Sequence, residues 1–354
     1  MASRDVVDIR EEITAHLRTF LSHNTAYLAE ISPSLERVGV SLSEYILDSG
    51  KRLRPIFAYA GYLATGKEPD SPAMKAMASL ELLQACALIH DDLMDKSDTR
   101  RGNPSLHRKF EKEHQQNHFA GSAINYGEAS AILIGDLALV WSDQMLHQSG
   151  ISTSELIPTL TIHDEMRVEL MAGQFLDIHE QGQKDWDKDR ALRIARYKSG
   201  KYTIERPLHF GATIAGGDSE LMKSLSGFGL PLGEAFQLRD DLLGVFGDPD
   251  VTGKPAGDDL REGKRTLLIA FTHESLTEDE KKRFYLLFGK NDLSAEQIEE
   301  LRSMIRKTSA EKRVEELIEH LTSQSLSALE ADNISNVAAS FMRSLVKIAT
   351  KRSS

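Results

Sequence analysis

The 354-residue chain has a single cysteine, Cys86, which excludes an intrachain disulfide framework and a multi-cysteine zinc site. Prolines number 10, and none falls between Pro104 and Pro158 or after Pro255, so long helices are permitted through both stretches. No uninterrupted apolar run approaches the roughly 18 residues of a transmembrane helix. The opening MASRDVVDIREE is charged where a signal peptide is apolar. The expectation is a cytoplasmic protein without stable membrane insertion. Basic residues fall short of acidic ones, 43 against 54, and the net charge of −11 speaks against a general nucleic-acid binder. Any phosphate-bearing ligand must then be held by local basic clusters or by metal ions. Sustained period-two alternation with β-branched enrichment is also lacking, so no sheet is expected.

What is present is an ordinary folded composition, 40% hydrophobic and 27% charged. At about 150 residues per domain the length allows two domains or one large helical domain. The breaker clusters at 66–72, 102–104, 216–217 and 248–257 do not resemble linkers. The chain therefore reads as one domain, 1–354, with an N-terminal helix in 1–30 and helices in 275–354 that buttress the core. Helical patterns cover 8–28, 43–49, 54–63, 73–95, 129–146, 158–181, 187–198, 219–227, 232–245, 265–272, 294–307, 311–328 and 335–350. No solenoid-period repeat or low-complexity tract is found.

Within 73–95, Ser79, Leu83, Ala87, Asp91 and Asp95 recur every fourth residue and share a helical face that turns from apolar to acidic. Two carboxylates side by side repel, and a divalent cation relieves the repulsion. Oxygen-only ligands point to Mg²⁺, which takes one or two carboxylates plus substrate phosphates and water. A second cluster, Phe236 to Asp248, sets Gln237, Asp240 and Asp241 into an otherwise apolar helical pattern. One such match is a common surface feature, but two on helices that could face each other would make a bundle-core metal site. Cations accompany both: Lys51, Arg52 and Arg54 in one string, Arg100 and Arg101 just beyond the first aspartates. Arginine suits bidentate phosphate contacts and lysine point-charge contacts.

At these residues the sequence resembles the E-type (trans) isoprenyl diphosphate synthases of the polyprenyl synthetase family. The ordered signatures are GKRLRP at 50–55, DDLMD with DTRRG at 91–102, GQFLD at 173–177, KSGKY at 198–202 and FQLRDD at 236–241. The resemblance implies an all-α fold, a single large helical bundle around a deep central cavity, usually in a homodimer. It also implies three Mg²⁺ ions between the two aspartate motifs, with Asp91, Asp95 and Asp240 as ligands and Asp92 and Asp241 supporting them. The implied substrates are isopentenyl diphosphate and an allylic diphosphate. Gly50, Lys51, Arg54, Gln84 and Arg101 would meet the first; Arg100, Lys198, Lys254, Lys264, Gln174 and Asp177 would hold or orient the second.

The implied chemistry suits the residues. Metals and cations withdraw charge from the leaving diphosphate, so no protein nucleophile is needed. The Lys198 carbonyl, the Ser199 hydroxyl and the Gln237 amide oxygen resemble the dipoles that line a carbocation pocket. Two departures from the family pattern stand out: Ser199 where threonine is commoner, and Gly244 at the fifth position of the second motif, where many relatives carry aspartate.

Family members that stop at C15 commonly place a bulky aromatic four or five residues before the first aspartate, where this chain has Ala87 and Cys86. The next residue on the stripe, Leu83, is one turn or about 5 Å deeper, close to the length of one isoprene unit. That favours geranylgeranyl diphosphate (C20) over farnesyl (C15). Trp141 is a candidate plug for longer chains, and an ordinary core role is equally open to it. A class I terpene cyclase is the neighbouring alternative, but its second motif is of an Asn/Asp-Ser/Thr-Glu kind. A non-catalytic subunit of a heteromeric synthase would have shed metal ligands that are retained here.

Overall fold

The structure, a computed structural model, describes residues 4–48, 50–183, 185–247 and 257–350. Helices dominate it. In chain order they are α1 (Val6–Ile31), α2 (Glu36–Leu47), α3 (Leu53–Ala64), α4 (Ser71–Met94), α5 (Leu106–Gln116), α6 (Ala123–His147), α7 (Thr153–Gln181) and α8 (Lys188–Ile194). A π-helix (Ala195–Glu205) leads into α9 (Arg206–Ile214), α10 (Ser219–Phe246), α11 (Asp258–Glu262), α12 (Leu267–Ser275), α13 (Glu278–Leu287), α14 (Ala295–Lys307), α15 (Ala310–Ala328) and α16 (Asn336–Thr350). Many starts follow local chemistry. Asp70 and Asp218 accept the Ala73 and Leu221 N–H groups at 3.0 and 2.8 Å, and Thr277 with Glu280 closes a capping box on α13.

Two compact units are distinguished, Met1–Tyr59 with Lys67–Ile157, and Ala60–Gly66 with Pro158–Ser354. In the first, α4 is the central element and packs on α6, α1 and α2. Most of its residues are buried, alanines and methionines on every side, as befits a helix covered all round. In the second, α10 holds the centre between the π-helix and α15, with Leu225, Phe228, Leu232, Ala235 and Leu238 fully buried.

The all-α expectation holds, and several details differ from the sequence reading. The patterns at 219–227 and 232–245 form one helix, α10, that runs through Pro231; burial along its length outweighs the single backbone bond that proline removes. The pattern at 187–198 leaves α geometry after Ile194 and continues as the π-helix, whose i+5 bonding has no 3.6-residue signature to read. α5 and α13 were not expected because both are strongly polar; α5 is held by Leu106, Phe110 and His114, buried on one stripe. A short hairpin, β1 (Thr99–Arg100) with β2 (Asn103–Pro104), stands where no sheet was expected. Its two turn residues, Arg101 and Gly102, both have positive φ, 54° and 77°, as a two-residue I′ turn demands. Two helices, α4 and α6, are long and apolar enough to cross a membrane on average hydropathy, although neither is an unbroken apolar run. α4 is 72% buried within the protein over that window, whereas α6 is only 28% buried.

Candidate active site

In the first unit, α4 ends at Met94 and Asp95 caps it, its N–H bonding the Asp91 carbonyl at 2.8 Å. The expected i,i+4 spacing of Asp91 and Asp95 is therefore kept on the last turn. Between them Asp92 turns inward and is 1% exposed. Arg100, carried back by the β1–β2 hairpin, donates Nε to Asp92 Oδ1 at 2.7 Å, adds a second bond from Nη2, and reaches Asp91 at 3.5 Å. Burial works against the Arg100 charge, yet the Asp92 carboxylate holds the guanidinium above its ordinary value. Tyr45 donates to the other Asp92 oxygen at 3.4 Å, and burial, reinforced by Asp92, pushes its phenol up.

Beside this lies a small cleft lined by Tyr45, Ile46, Arg52, Glu81, Gln84, Ala85, Leu88 and Arg101. Arg52 has a left-handed backbone (φ 52°), is 4% exposed, and donates to Glu81 at 2.9 Å. With Arg52 turned inward, Lys51 is left exposed and Arg54 half-buried on either side of it. Gly50 makes room for this arrangement, since a Cβ there would stand 2.7 Å from Arg52 Nη1. Gln84 contributes a buried Oε1 without a hydrogen-bond partner among the described residues, an acceptor directed at a place a donor can fill.

In the second unit, Gly173 of the GQFLD string lets the π-helix press against α7: a Cβ there would lie 2.3 Å from the Lys198 nitrogen. Lys198 Nζ meets the buried Asp177 at 2.6 Å. Gln174 and Ser199 are half-buried nearby in sequence. On α10, Gln237 donates Nε2 to Asp241 Oδ1 at 2.7 Å while Asp240 stays half-buried. Burial, then the charges of Asp259, Asp240 and Asp177, push the Asp241 carboxyl up to about 8 against the help of Gln237. Lys264 stands 3.5 Å from Asp259 and 2.6 Å from Glu262. Lys254 lies outside the described residues.

A model of the polyprenyl synthetase family matches residues 37–305. The chain belongs to the polyprenyl synthetase family. It is 34% identical over 257 residues to the geranylfarnesyl diphosphate synthase of Aeropyrum pernix, covering 71% of this chain and 74% of that one. To the geranylgeranyl diphosphate synthase of Saccharolobus solfataricus it is 29% identical over 305 residues, 85% and 83% of the two chains. Its structure matches that of a geranylgeranyl pyrophosphate synthase from Corynebacterium glutamicum, complexed with isoprenyl diphosphate and magnesium, at a TM-score of 0.95. The two are 41% identical, and the match covers 99% of this chain and 100% of that one. The protein is a trans-isoprenyl diphosphate synthase, an enzyme of prenyl chain elongation.

The residues expected to set product length in this synthase fall into different surroundings. Ala87 is half-buried on the side of α4 that also carries Gln84, Leu88 and Asp91. Cys86 is 5% exposed, with Sγ 3.8 Å from His90 Nδ1, and His90 in turn bonds the Ile132 carbonyl of α6 at 3.2 Å. Burial, with the Asp136 charge, pushes its thiol up to about 12. Leu83 is 1% exposed, and Trp141 packs edge-on against Phe20 of α1 at 6.2 Å. Tyr45, Glu81 and Asp259 were not singled out from the sequence. Glu81 had a readable signal, an acid three residues before Gln84 on a helix apolar all round; Tyr45 and Asp259 had none.

Proposed function

We propose that this synthase condenses isopentenyl diphosphate with allylic diphosphates in the presence of Mg²⁺ and that its main product is geranylgeranyl diphosphate. One observation carries the reading: within each unit a carboxylate cluster is accompanied by cations suited to phosphate. Asp91, Asp92 and Asp95 stand with Arg100 in the first, and Asp177, Asp240 and Asp241 with Lys198 and Lys264 in the second. The donor set is oxygen only, which suits Mg²⁺. The buried Asp241 carboxyl, pushed up to about 8, fits a place that a cation completes. The Corynebacterium relative, described with isoprenyl diphosphate and magnesium, supports the same ligand classes here. We assign three ions per active site, with Asp91, Asp95 and Asp240 as direct ligands. Asp92, committed to Arg100, and Asp241, committed to Gln237, support them.

Mg²⁺ held by Asp91, Asp95 and Asp240 would supply the positive charge that lets the allylic carbon–oxygen bond of the substrate ionise. Lys198, steadied by Asp177 and with Gln174 one helical turn away, grips that diphosphate together with Arg100, Lys264 and Lys254. Gly50, Lys51, Arg54, Arg101 and Gln84 receive isopentenyl diphosphate. Because Gln237 spends its N–H on Asp241, its oxygen is the end left to face a carbocation, in company with the Ser199 hydroxyl and the Lys198 carbonyl. The C3–C4 alkene then attacks, a carbon–carbon bond forms, and the released diphosphate takes the proton lost from C2. We read 1–354 as one synthase domain acting in the cytoplasm as a homodimer. The uncovered stripe of Ile157, Val168, Met171, Phe175 and Ile178 along α7, 43 to 67% exposed, supports a second copy as its partner.

The test is chromatography of the products made from labelled isopentenyl diphosphate with C5, C10 and C15 primers, with and without a chelator. Magnesium-dependent elongation ending at C20 is expected. Products ending at C15, or elongation indifferent to the chelator, overturn the reading; an end at C25 would favour the geranylfarnesyl activity named for the Aeropyrum relative.

A further inference from the structure

Position 244 is the fifth of the second aspartate cluster, and it is a glycine with no carboxylate of its own. The space its side chain would take is nonetheless filled. A Cβ on Gly244 would stand 2.0 Å from Oδ2 of Asp259 and 2.4 Å from its Cγ. An aspartate's own carboxyl carbon lies about 1.5 Å beyond its Cβ, so the Asp259 carboxylate occupies the space in which a side chain at 244 would begin, and the two could not both be held there without a shift. Asp259 rides on α11, a single turn bounded by Gly257 and Gly263, both at φ 70°. Left-handed glycines on either side are what allow so short a turn to be folded back. Its side chain is buried, and its backbone carbonyl accepts the Lys264 N–H at 3.0 Å while Lys264 Nζ stands 3.5 Å from Oδ1. Oδ2, the oxygen nearer Gly244, is the one turned toward the α10 cluster.

We propose that Asp259 supplies from α11 the carboxylate that α10 lacks at position 244, and that it serves Asp240 and Asp241 in holding the magnesium diphosphate. Gly244 is then required as a vacancy, because any side chain there collides with the group that replaces it. The inference rests on reading the second cluster as metal-binding, and it assigns a positioning residue to that cluster. A contrasting role for Asp259, as an ion-pair partner that only steadies Lys264, makes a different prediction: a carboxylate moved to position 244 would not substitute for it.

The experiment is calorimetric titration of the purified full chain with Mg²⁺ in the presence of inorganic diphosphate, a readout independent of turnover. Asp259→Asn keeps the shape and removes the charge; it is expected to weaken magnesium-dependent diphosphate binding about tenfold. Gly244→Asp combined with Asp259→Ala returns the carboxylate from the other helix and is expected to recover wild-type affinity to within about threefold. Gly244→Asp alone crowds two carboxylates together and is expected to bind more weakly than wild type. Wild-type binding by Asp259→Asn overturns the proposal, as does a folded double variant that binds no better than Asp259→Asn. Should the double variant fail to fold, Asp259→Asn decides alone. Asp240→Ala separates the two levels of argument: if it too binds normally, the metal reading of the cluster falls, and if it alone loses binding, only the role of Asp259 falls.

Discussion

The two aspartate clusters look alike as strings and differ in how their buried carboxylates are compensated. At the end of α4, Asp92 is buried against Arg100, which donates to it twice, and Tyr45 takes its second oxygen. On α10, Asp241 is also buried but receives a neutral amide from Gln237 and has Asp259, Asp240 and Asp177 among the charges acting on it. A carboxylate buried beside a guanidinium keeps its charge; one buried among carboxylates resists it. Asp92 is thus balanced before any ligand arrives, whereas Asp241 lies among carboxylates whose repulsion a cation can relieve.

The strongest test of this contrast removes one ligand from each side. Asp91→Ala and Asp240→Ala are each expected to lower turnover by a thousandfold or more, since stabilisation of the departing diphosphate is worth several kcal/mol. Labelled-product assays on variants with unchanged circular dichroism check it, and near-normal activity in both would sink the assignment. Next in size, Arg100→Ala leaves Asp92 buried without its partner and is expected to lower stability by about 3–5 kcal/mol, read as a shift in urea midpoint. Arg101→Ala, on the exposed hairpin turn, is expected to raise KM for isopentenyl diphosphate with little change in stability. An equal stability loss in both variants would dissolve the distinction between them.

A pH series probes the other cluster. The Asp241 carboxyl is pushed up to about 8, above the ordinary value near 3.9 in an unfolded chain. The folded protein therefore binds the extra proton, and this contribution to stability is full below about pH 4 and lost as pH rises through 8. Without metal, Asp241→Asn is expected to be more stable than wild type at pH 8.5, on the order of a few kcal/mol, with the gap closing toward pH 4. Parallel urea melts of the two proteins across that range, with no convergence, would show that Asp241 is not held protonated. The smallest expected effects concern product length. Ala87→Phe is expected to shift product from C20 toward C15 and Leu83→Ala toward longer chains. Cys86→Phe is expected to act less than Ala87→Phe because Cys86 is turned toward His90. Unchanged chromatograms would assign length control to another wall.

Much of this molecule was legible in local pattern. The helices α1, α3, α4, α6, α14, α15 and α16 appear within a few residues of where apolar periodicity put them, except that α6 begins at Ala123, one and a half turns early. The aspartates, cations and glycine-bearing strings were read directly, because each signature is a short contiguous run of residue types. What was missed shares a different property. The π-helix, the continuation of α10 through Pro231 and the polar helix α5 are sustained by packing against other helices, which periodicity within the segment does not register.

By itself the sequence determined the helical class, the synthase family and the chemical types gathered at the site, because those depend on residue identity and short spacing. Tertiary structure alone decided which charges meet: Arg52 with Glu81, Asp92 with Arg100, Lys198 with Asp177, and the Asp259 carboxylate in the vacancy over Gly244. The reason is physical. A carboxylate is left charged or neutralised by what stands within a few ångströms of it, and that proximity is set by how successive elements fold back on one another, not by residue identity.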